Sequence, residues 1–291
     1  MKKYVDMHSH SLYSDGNHTV EELITMAKKN NVDFFSITDH NNIESTKDIA
    51  THRSDKEITL INGIELSTVY MYEGKEVFID LLGYDFKTDY PKLLFELSRM
   101  KENLCYNNHN FIRKILENNI LVPECVTKEI QYSNYRWIIY QIENILIKHS
   151  YSEQYIEDFI FRIEKYIPKY DEYEIEITKA IEILHNCGGI SVIAHPNKIK
   201  LDYDEKEKLI KQLSHHGLDG IESAHSSFSP IDFFKYKELA QKFQLLESVG
   251  SDFHFSTPTK NVIIGYGIDD NLLVEDCSVK KHILRRRNKN E

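Results

Sequence analysis

Short apolar runs alternate with segments of helical period at both ends of the chain, and the middle breaks that rhythm. Residues 4–8 read as a first strand. Thr19-Val20-Glu21-Glu22 then spells a capping box, with Val20, Leu23, Ile24 and Ala27 at helical spacing behind it. Residues 32–37, 58–64 and 77–82 read as the second, third and fourth strands. The alternation returns later. Residues 175–185 form an amphipathic pattern stopped by Gly188, and 189–194 read as a buried strand. A helix over 204–216 follows, with Asp204 and Glu207 as its capping box and Gly217 closing it. Residues 218–222 read as a short strand. Ser229-Pro230 opens a helix in the favoured N-cap, N1 order, and 245–249 make the seventh strand.

Seven strands separated by helices predict an α/β fold with a parallel barrel or sheet. In such folds chemistry gathers at the C-terminal ends of the strands. Residues 85–173 look wholly helical instead, over 91–119, 134–149 and 153–167. They are expected to form a helical insertion between strands four and five, placed as a lid over the strand ends. The expected domains are therefore 1–84 with 174–291, and 85–173.

Composition narrows the class. The 291 residues suffice for one large domain with an insertion, and 28% charged and 41% hydrophobic residues are ordinary for a globular protein. No apolar run approaches the ~20 residues of a membrane span. The start, Met1-Lys2-Lys3-Tyr4-Val5-Asp6, carries no apolar signal segment, so a cytoplasmic protein without a membrane partner is expected. Cys105, Cys125, Cys187 and Cys277 form no C-x-x-C pair and read as reduced thiols. A net charge of −10 argues against non-specific binding of duplex DNA, and leaves room for a small anionic substrate drawn to cations. The basic stretch from Lys280 to Arg287 reads as a solvated helix end. Oligomeric state is open.

The candidate chemistry lies at the ends of the apolar runs. His8 and His10 are two residues apart, so in extended chain both rings point the same way. Asp39-His40, Glu65, Asp80, His195 and Asp252-Phe253-His254 occupy similar positions after later runs. Dispersed His, Asp and Glu with no Cys among them read as a multi-metal catalytic site. Imidazole and carboxylate together suit Mn, Fe or Zn. Phosphate-binding G-x-x-x-x-G-K-[ST], dinucleotide-binding G-x-G-x-x-G and nucleophile-elbow G-x-S-x-G patterns are absent from the sequence.

The motifs as a set, His8-Ser9-His10 through Asp15-Gly16, Thr38-Asp39-His40, Gly63-Ile64-Glu65, Ala194-His195-Pro196 and Gly250-Ser251-Asp252-Phe253-His254, resemble those of the PHP (polymerase and histidinol phosphatase) family. The helical insertion further resembles the nucleoside 3′,5′-bisphosphate phosphatases and 5′-end exoribonucleases of that family. The resemblance implies a distorted seven-stranded (β/α) barrel holding two or three divalent ions (Mn, Fe or Zn). It implies a first metal on His8, His10, Glu65 and Asp252, and a second on Asp15, His40 and His254. A third would lie on Glu65, His195 and Asp80. The family commonly has His where Asp80 stands, and a hard carboxylate oxygen tilts that group toward Mn or Fe. Asp80 is read as a ligand or a simple strand-end carboxylate, and Asp39 as an orienter.

The implied activity is metal-dependent hydrolysis of a small phosphomonoester by a metal-activated hydroxide. The substrate would be a nucleotide, such as a nucleoside 3′,5′-bisphosphate or the 5′ end of a short RNA. Asp252 and His254 are the catalytic pair implied alongside the metals. His225 reads either as a proton donor or substrate contact, or as a solvated loop histidine. Arg136 reads as a reader of a second phosphate or as a surface ion pair. Histidinol phosphate hydrolysis, an amidohydrolase-like reaction and a non-catalytic module are the alternatives.

Overall fold

The computed structural model describes residues 2–130, 138–167, 174–255 and 261–289, and its first strand, β1 (Tyr4–Asp6), is shorter than the apolar pattern predicts. The chain leaves the regular ladder before His8. Helix α1 (Val20–Lys29) starts at the expected capping box: the Thr19 hydroxyl accepts from Glu22 N, and the Glu22 carboxylate accepts from Thr19 N. It buries Val20, Leu23, Ile24 and Ala27, the four residues whose spacing predicts it. Strand β2 (Val32–Ile37) has the predicted bounds, and a short helix, α2 (Ser45–Thr51), follows it.

The third and fourth strands depart from the expectation. Strand β3 runs over Thr59–Tyr72 and β4 over Lys75–Tyr84, joined by Glu73-Gly74. Both turn residues have positive φ, 47° and 78°, as a tight two-residue hairpin requires. Strand β4 pairs antiparallel with β3 along its whole length, from Gly63 to Tyr72 of β3, and is antiparallel to its other neighbour as well. The sheet is therefore mixed rather than all parallel. Glu65 and Asp80 lie inside strands, not at strand ends.

Next come the helices α3 (Pro91–Glu117), α4 (Glu124–Glu129), α5 (Ile138–Lys148) and α6 (Glu153–Ile163). Arg136 lies outside the described residues. A two-residue strand, β5 (Ile175–Glu176), pairs with β3 where a helix start was expected, and α7 (Ile177–Asn186) begins after it. Then β6 (Ile190–Ile193), α8 (Tyr203–His215), β7 (Gly220–His225), α9 (Pro230–Lys242), β8 (Leu246–Gly250) and α10 (Ser278–Asn288) complete the chain. The capping box of α8 is Asp202 with Glu205, not Asp204 with Glu207. Ser229 and Pro230 open α9 as expected.

The eight described strands form one sheet, in the order β1-β2-β3-β4-β6-β7-β8 with β5 beside β3. The chain after β1 pairs with the end of β8 and the residues beyond it. Met7 N donates to Val249 O at 2.8 Å, Asp252 N to His8 O at 2.9 Å, and Ser9 bridges Phe253 in parallel. Alternate residues of β2 separate into two cores. Phe34 joins Val5, Met7, Ile61, Leu82, Tyr84, Val192 and Val249, with Val279 and Ile283 of α10 packed on them. Phe35 and Ile37 join the buried face of α1. The C-terminal basic stretch is tied down rather than solvated: Arg287 pairs with Asp85 at 2.7 Å, and Arg286 donates to Gly188 O.

The chain divides into two compact units, Met1–Leu94 with Ile175–Glu291, and Phe95–Glu174. The described elements of the second are helices. Its core, with Phe111, Ile115, Ile142, Leu146, Phe159 and Ile163 fully buried, is drawn from its own residues. Among the described residues no helix is long and apolar enough to cross a membrane.

Candidate metal centre

All nine candidate ligands belong to the first unit, and the fold brings them together. His8 and His10 follow β1 and are fully buried. His8 Nε2 lies 3.1 Å from Glu65 Oε2 and 3.4 Å from Asp252 Oδ1. His10 Nε2 lies 3.3 Å and 3.2 Å from the same two oxygens. His10 Nδ1 is 3.3 Å from Asp15 Oδ1, so this ring faces two groups of donors. Asp15 Oδ2 is 3.0 Å from His254 Nε2 and 3.5 Å from His40 Nε2, while His40 Nδ1 is 3.3 Å from Glu65 Oε2. Glu65 Oε1 accepts from His195 Nε2 at 3.0 Å, and Asp80 Oδ2 lies 4.0 Å from the same nitrogen.

Local structure accounts for these placements. In the β3–β4 register Ser67 faces Asp80, and Glu65 is two residues from Ser67, so Glu65 and Asp80 share a face of the sheet. The chain between His10 and Gly16 doubles back tightly, and a Cβ on Gly16 would sit 2.0 Å from His10 O. Asp39 braces that turn: it accepts from Ser11 N at 2.8 Å and from the Ser11 and Ser14 hydroxyls. Gly250 lets β8 approach His8, where a Cβ would meet His8 Cβ at 2.1 Å. His195 (φ 25°) and Asp252 (φ 55°) both stand in the left-handed region. Such strain is typical of functional sites.

Two further residues join the site that the sequence reading passed over. Glu222, fully buried in β7, accepts from His8 Nδ1 at 3.0 Å and from His195 N at 2.5 Å. Lys198, three residues beyond His195, places its amine 2.7 Å from Asp252 Oδ2. His225 is no solvated loop histidine. It ends β7 fully buried, with Nε2 3.6 Å from Asp252 Oδ2.

The electrostatics are those of a cluster held in balance by protons. Burial works against charge on His8, but Glu65, Glu222 and Asp252 outweigh it and hold the ring well above the ordinary histidine range. His10 is raised to about 10 against its burial by Asp15, Asp252 and Glu65. Burial alone would lift the carboxylates. Instead His40 and His8 hold Glu65 well below its usual range, and Lys198, His8 and His254 do the same for Asp252. Asp15 is lowered by His40, His254 and His10 despite burial. Burial pushes His40 and His225 down.

The residues fit divalent cations. His10 Nε2 and His40 Nδ1 are buried, face carboxylate oxygens and make no hydrogen bond. A buried ring nitrogen in that position is costly unless a proton shared with those oxygens, or a cation between them, satisfies it. Donor atoms gather within 4.8 Å of one another in the sets His8–His10–Glu65–Asp252, His10–Asp15–His40–His254 and Glu65–Asp80–His195, all imidazole and carboxylate.

Comparison with known proteins agrees with this geometry. The PHP domain model matches residues 6–249. A 5′-3′ exoribonuclease of Haemophilus influenzae is 28% identical over 92% of this chain and 96% of its own. A 3′,5′-nucleoside bisphosphate phosphatase of Chromobacterium violaceum is 25% identical over 86% of this chain and 87% of its own. A solved structure described as an amidohydrolase from Chromobacterium violaceum, with bound sulfate and no metal, has a TM-score of 0.76 at 22% identity. It covers 97% of this chain and 96% of that one, a likeness of fold alone. With most of its length matched and the family's motif residues gathered in one place, the chain belongs to the PHP domain family.

Proposed function

We propose that this protein is a metal-dependent phosphoesterase that hydrolyses a small phosphomonoester on a nucleotide, such as a nucleoside 3′,5′-bisphosphate or the 5′ end of a short RNA. The observation that carries the reading is the convergence of nine His, Asp and Glu residues into three donor groups that share Glu65 and His10. The activities of the exoribonuclease and bisphosphate phosphatase relatives support the substrate class. We read the sheet, whose outer ends pair beyond β1 and β8, as the family's distorted barrel.

His8, His10, Glu65 and Asp252 would hold one cation, Asp15, His40 and His254 a second, and Glu65, Asp80 and His195 a third. Bound divalent cations supply Lewis-acid charge at phosphoryl oxygens and acidify water. The chain's own groups do the rest. Asp252 turns one oxygen toward His8 and His10 and the other toward Lys198. The Lys198 amine is thereby held at the edge of the donor groups as a fixed positive charge for an anionic substrate. His225 accepts from Ser227 N through Nδ1, at 3.0 Å. Its Nε2 therefore carries the ring proton and can donate to an oxygen beside Asp252.

The test is phosphate release by the Mn-loaded protein from adenosine 3′,5′-bisphosphate, a 5′-phosphorylated short RNA, AMP and histidinol phosphate. Preference for either of the first two supports the proposal. Preference for histidinol phosphate keeps the centre and replaces the substrate. No phosphate from any and no mononucleotide from the RNA, with metal bound, overturns the substrate proposal and points to a different ester or to a non-catalytic module. His8→Asn and Asp252→Asn should each lower kcat/KM by more than the ~10–100-fold that loss of an outer partner costs, with the melting profile retained. Full activity in both purified variants would discard the ligand assignment.

A further inference from the structure

We propose that Glu222 is a positioning residue that fixes the ring tautomer of His8 and the backbone of His195, and so keeps two donor groups in register. The inference rests on the metal-centre reading above. Glu222 is fully buried, and each of its oxygens has its own donor: Oε1 faces His8 Nδ1 at 3.0 Å, and Oε2 takes His195 N–H at 2.5 Å. His8 belongs to the group with His10 and Asp252, and His195 to the group with Asp80. One carboxylate thus grips a member of each.

A irregularity in β7 makes this possible. Strict alternation would send residues 222 and 225 to opposite faces of the sheet. The β7–β8 register instead shifts between Glu222 and Ala224: Glu222 faces Ser248 and Ala224 faces the next residue, Val249. The extra residue, Ser223, inverts the phase, and Glu222 and His225 come to the same side, with His225 Nε2 4.0 Å from Glu222 Oε2. The hydrogen bonds made by His8, Glu222 and His225 favour a bracing role over a separate cation site. Both Glu222 oxygens already accept, and Ser227 N holds the His225 proton on Nε2.

The polarity of the contacts gives Glu222 a role beyond packing. A ligating imidazole offers a lone pair on one nitrogen and commonly donates the N–H of the other to a carboxylate. With His8 Nδ1–H donated to Glu222, Nε2 is the nitrogen left facing Glu65 and Asp252, and the one that would give up its proton to ligate a cation. In Glu222→Gln only one acceptor remains. His195 N–H can only donate, so the amide oxygen turns to it and the amide NH2 turns to His8 Nδ1. Nδ1 must then accept, and the proton moves to Nε2, where a cation would bind. The opposite amide orientation sets two N–H groups against each other at His195.

The experiment uses the full chain, wild type and Glu222→Gln, stripped of metal and titrated with Mn(II) by calorimetry. Folding is checked by circular dichroism. Nitrogen-15 spectra of the histidine-labelled, Zn(II)-loaded chain then report each ring's protonation, with His8 assigned by its loss in His8→Asn. We expect Glu222→Gln to bind Mn about 10–100-fold more weakly at the equivalent lost in His8→Asn. In Zn-loaded wild type the His8 proton should sit on Nδ1. Unchanged Mn affinity in a folded Glu222→Gln overturns the inference, as does a Zn-loaded wild type with the His8 proton on Nε2. The wild-type spectrum decides alone if the variant fails to fold. A wild type that binds neither ion refutes the metal-centre reading itself and takes this inference with it, a result distinct from failure with metals bound.

Discussion

Asp80 shows what one donor atom decides. It lies on the shared face of β3 and β4 beside Glu65, yet its oxygen is 4.0 Å from His195 Nε2, while Glu65 is 3.0 Å away. A carboxylate is a harder donor than the imidazole common at this position, so the group with His195 should favour Mn or Fe over Zn. Asp80→His should raise the Zn-to-Mn ratio in protein equilibrated with equal concentrations of both, read by elemental analysis; an unchanged ratio would show that Asp80 is no ligand. Away from the centre, His185 Nε2 meets Asp219 Oδ2 at 2.7 Å, and Asp219 also accepts from Ser191 N. The hydrogen bond to Asp219 raises His185, and Asp219 is lowered by His185 and Ser191 against its own burial. The His185 contribution is complete below its unfolded pKa of ~6.5 and fades as pH rises through its folded value. The Asp219 contribution is present above ~3.9 and fades as pH falls through its folded value. The pair therefore stabilises most between about pH 4 and 6.5. His185→Gln should cost up to about 1 kcal/mol in that window and less at pH 9, because the pair is partly exposed. Urea titrations at the two pH values test this, and equal losses at both would exclude an ionic pair.

At the scale of elements, what the sequence announces depends on whether the signal is local. The bounds of β2 and the start of α1 follow from an apolar run and from Thr19 with Glu22, and both stand in the structure. The start of α8 did not follow, because Asp202-Tyr203-Asp204-Glu205-Lys206-Glu207 offers two acid pairs three apart and only tertiary packing selects the first. The β3–β4 hairpin was hidden because β3 continues past Glu65 through Ser67 and Thr68, which carry no apolar alternation. Its turn, Glu73-Gly74, was the available clue. The histidines and Asp252 were legible from spacing, whereas Glu222 reaches the site only through a register shift that no local pattern encodes. The last helix was read as a solvated end, yet Val279 and Ile283 are fully buried in the core that also holds Phe34 and Val249. Ile283→Ala should therefore destabilise the first unit by about 2–5 kcal/mol in urea unfolding. A loss below about 0.5 kcal/mol, the range of ordinary surface changes, would place α10 off the core.

For the whole molecule, the partition of ligands between the two units sets how metal should act on stability. Every described candidate ligand lies in Met1–Leu94 or Ile175–Glu291, and the helical unit, Phe95–Glu174, has a core made from its own residues. On the proposed metal-centre reading, a cation held by the folded first unit would stabilise it by mass action, about 2.7 kcal/mol for one site at a hundred times its dissociation constant. For a domain of this size that is roughly 5–10 °C in Tm. Hydrogen exchange read on peptides from α5 and α6 follows the second unit, while calorimetry follows the whole chain. Adding a chelator to Mn-loaded protein should lower the calorimetric transition of the first unit by that amount and leave the unfolding midpoint read by exchange in α5 and α6 in place. Restoring Mn should reverse the shift, and Asp252→Asn should start low and respond less. A chelator that moves both midpoints equally would show that the units unfold as one, and a chelator that moves neither would mean that the buried His and carboxylate groups balance one another without a cation.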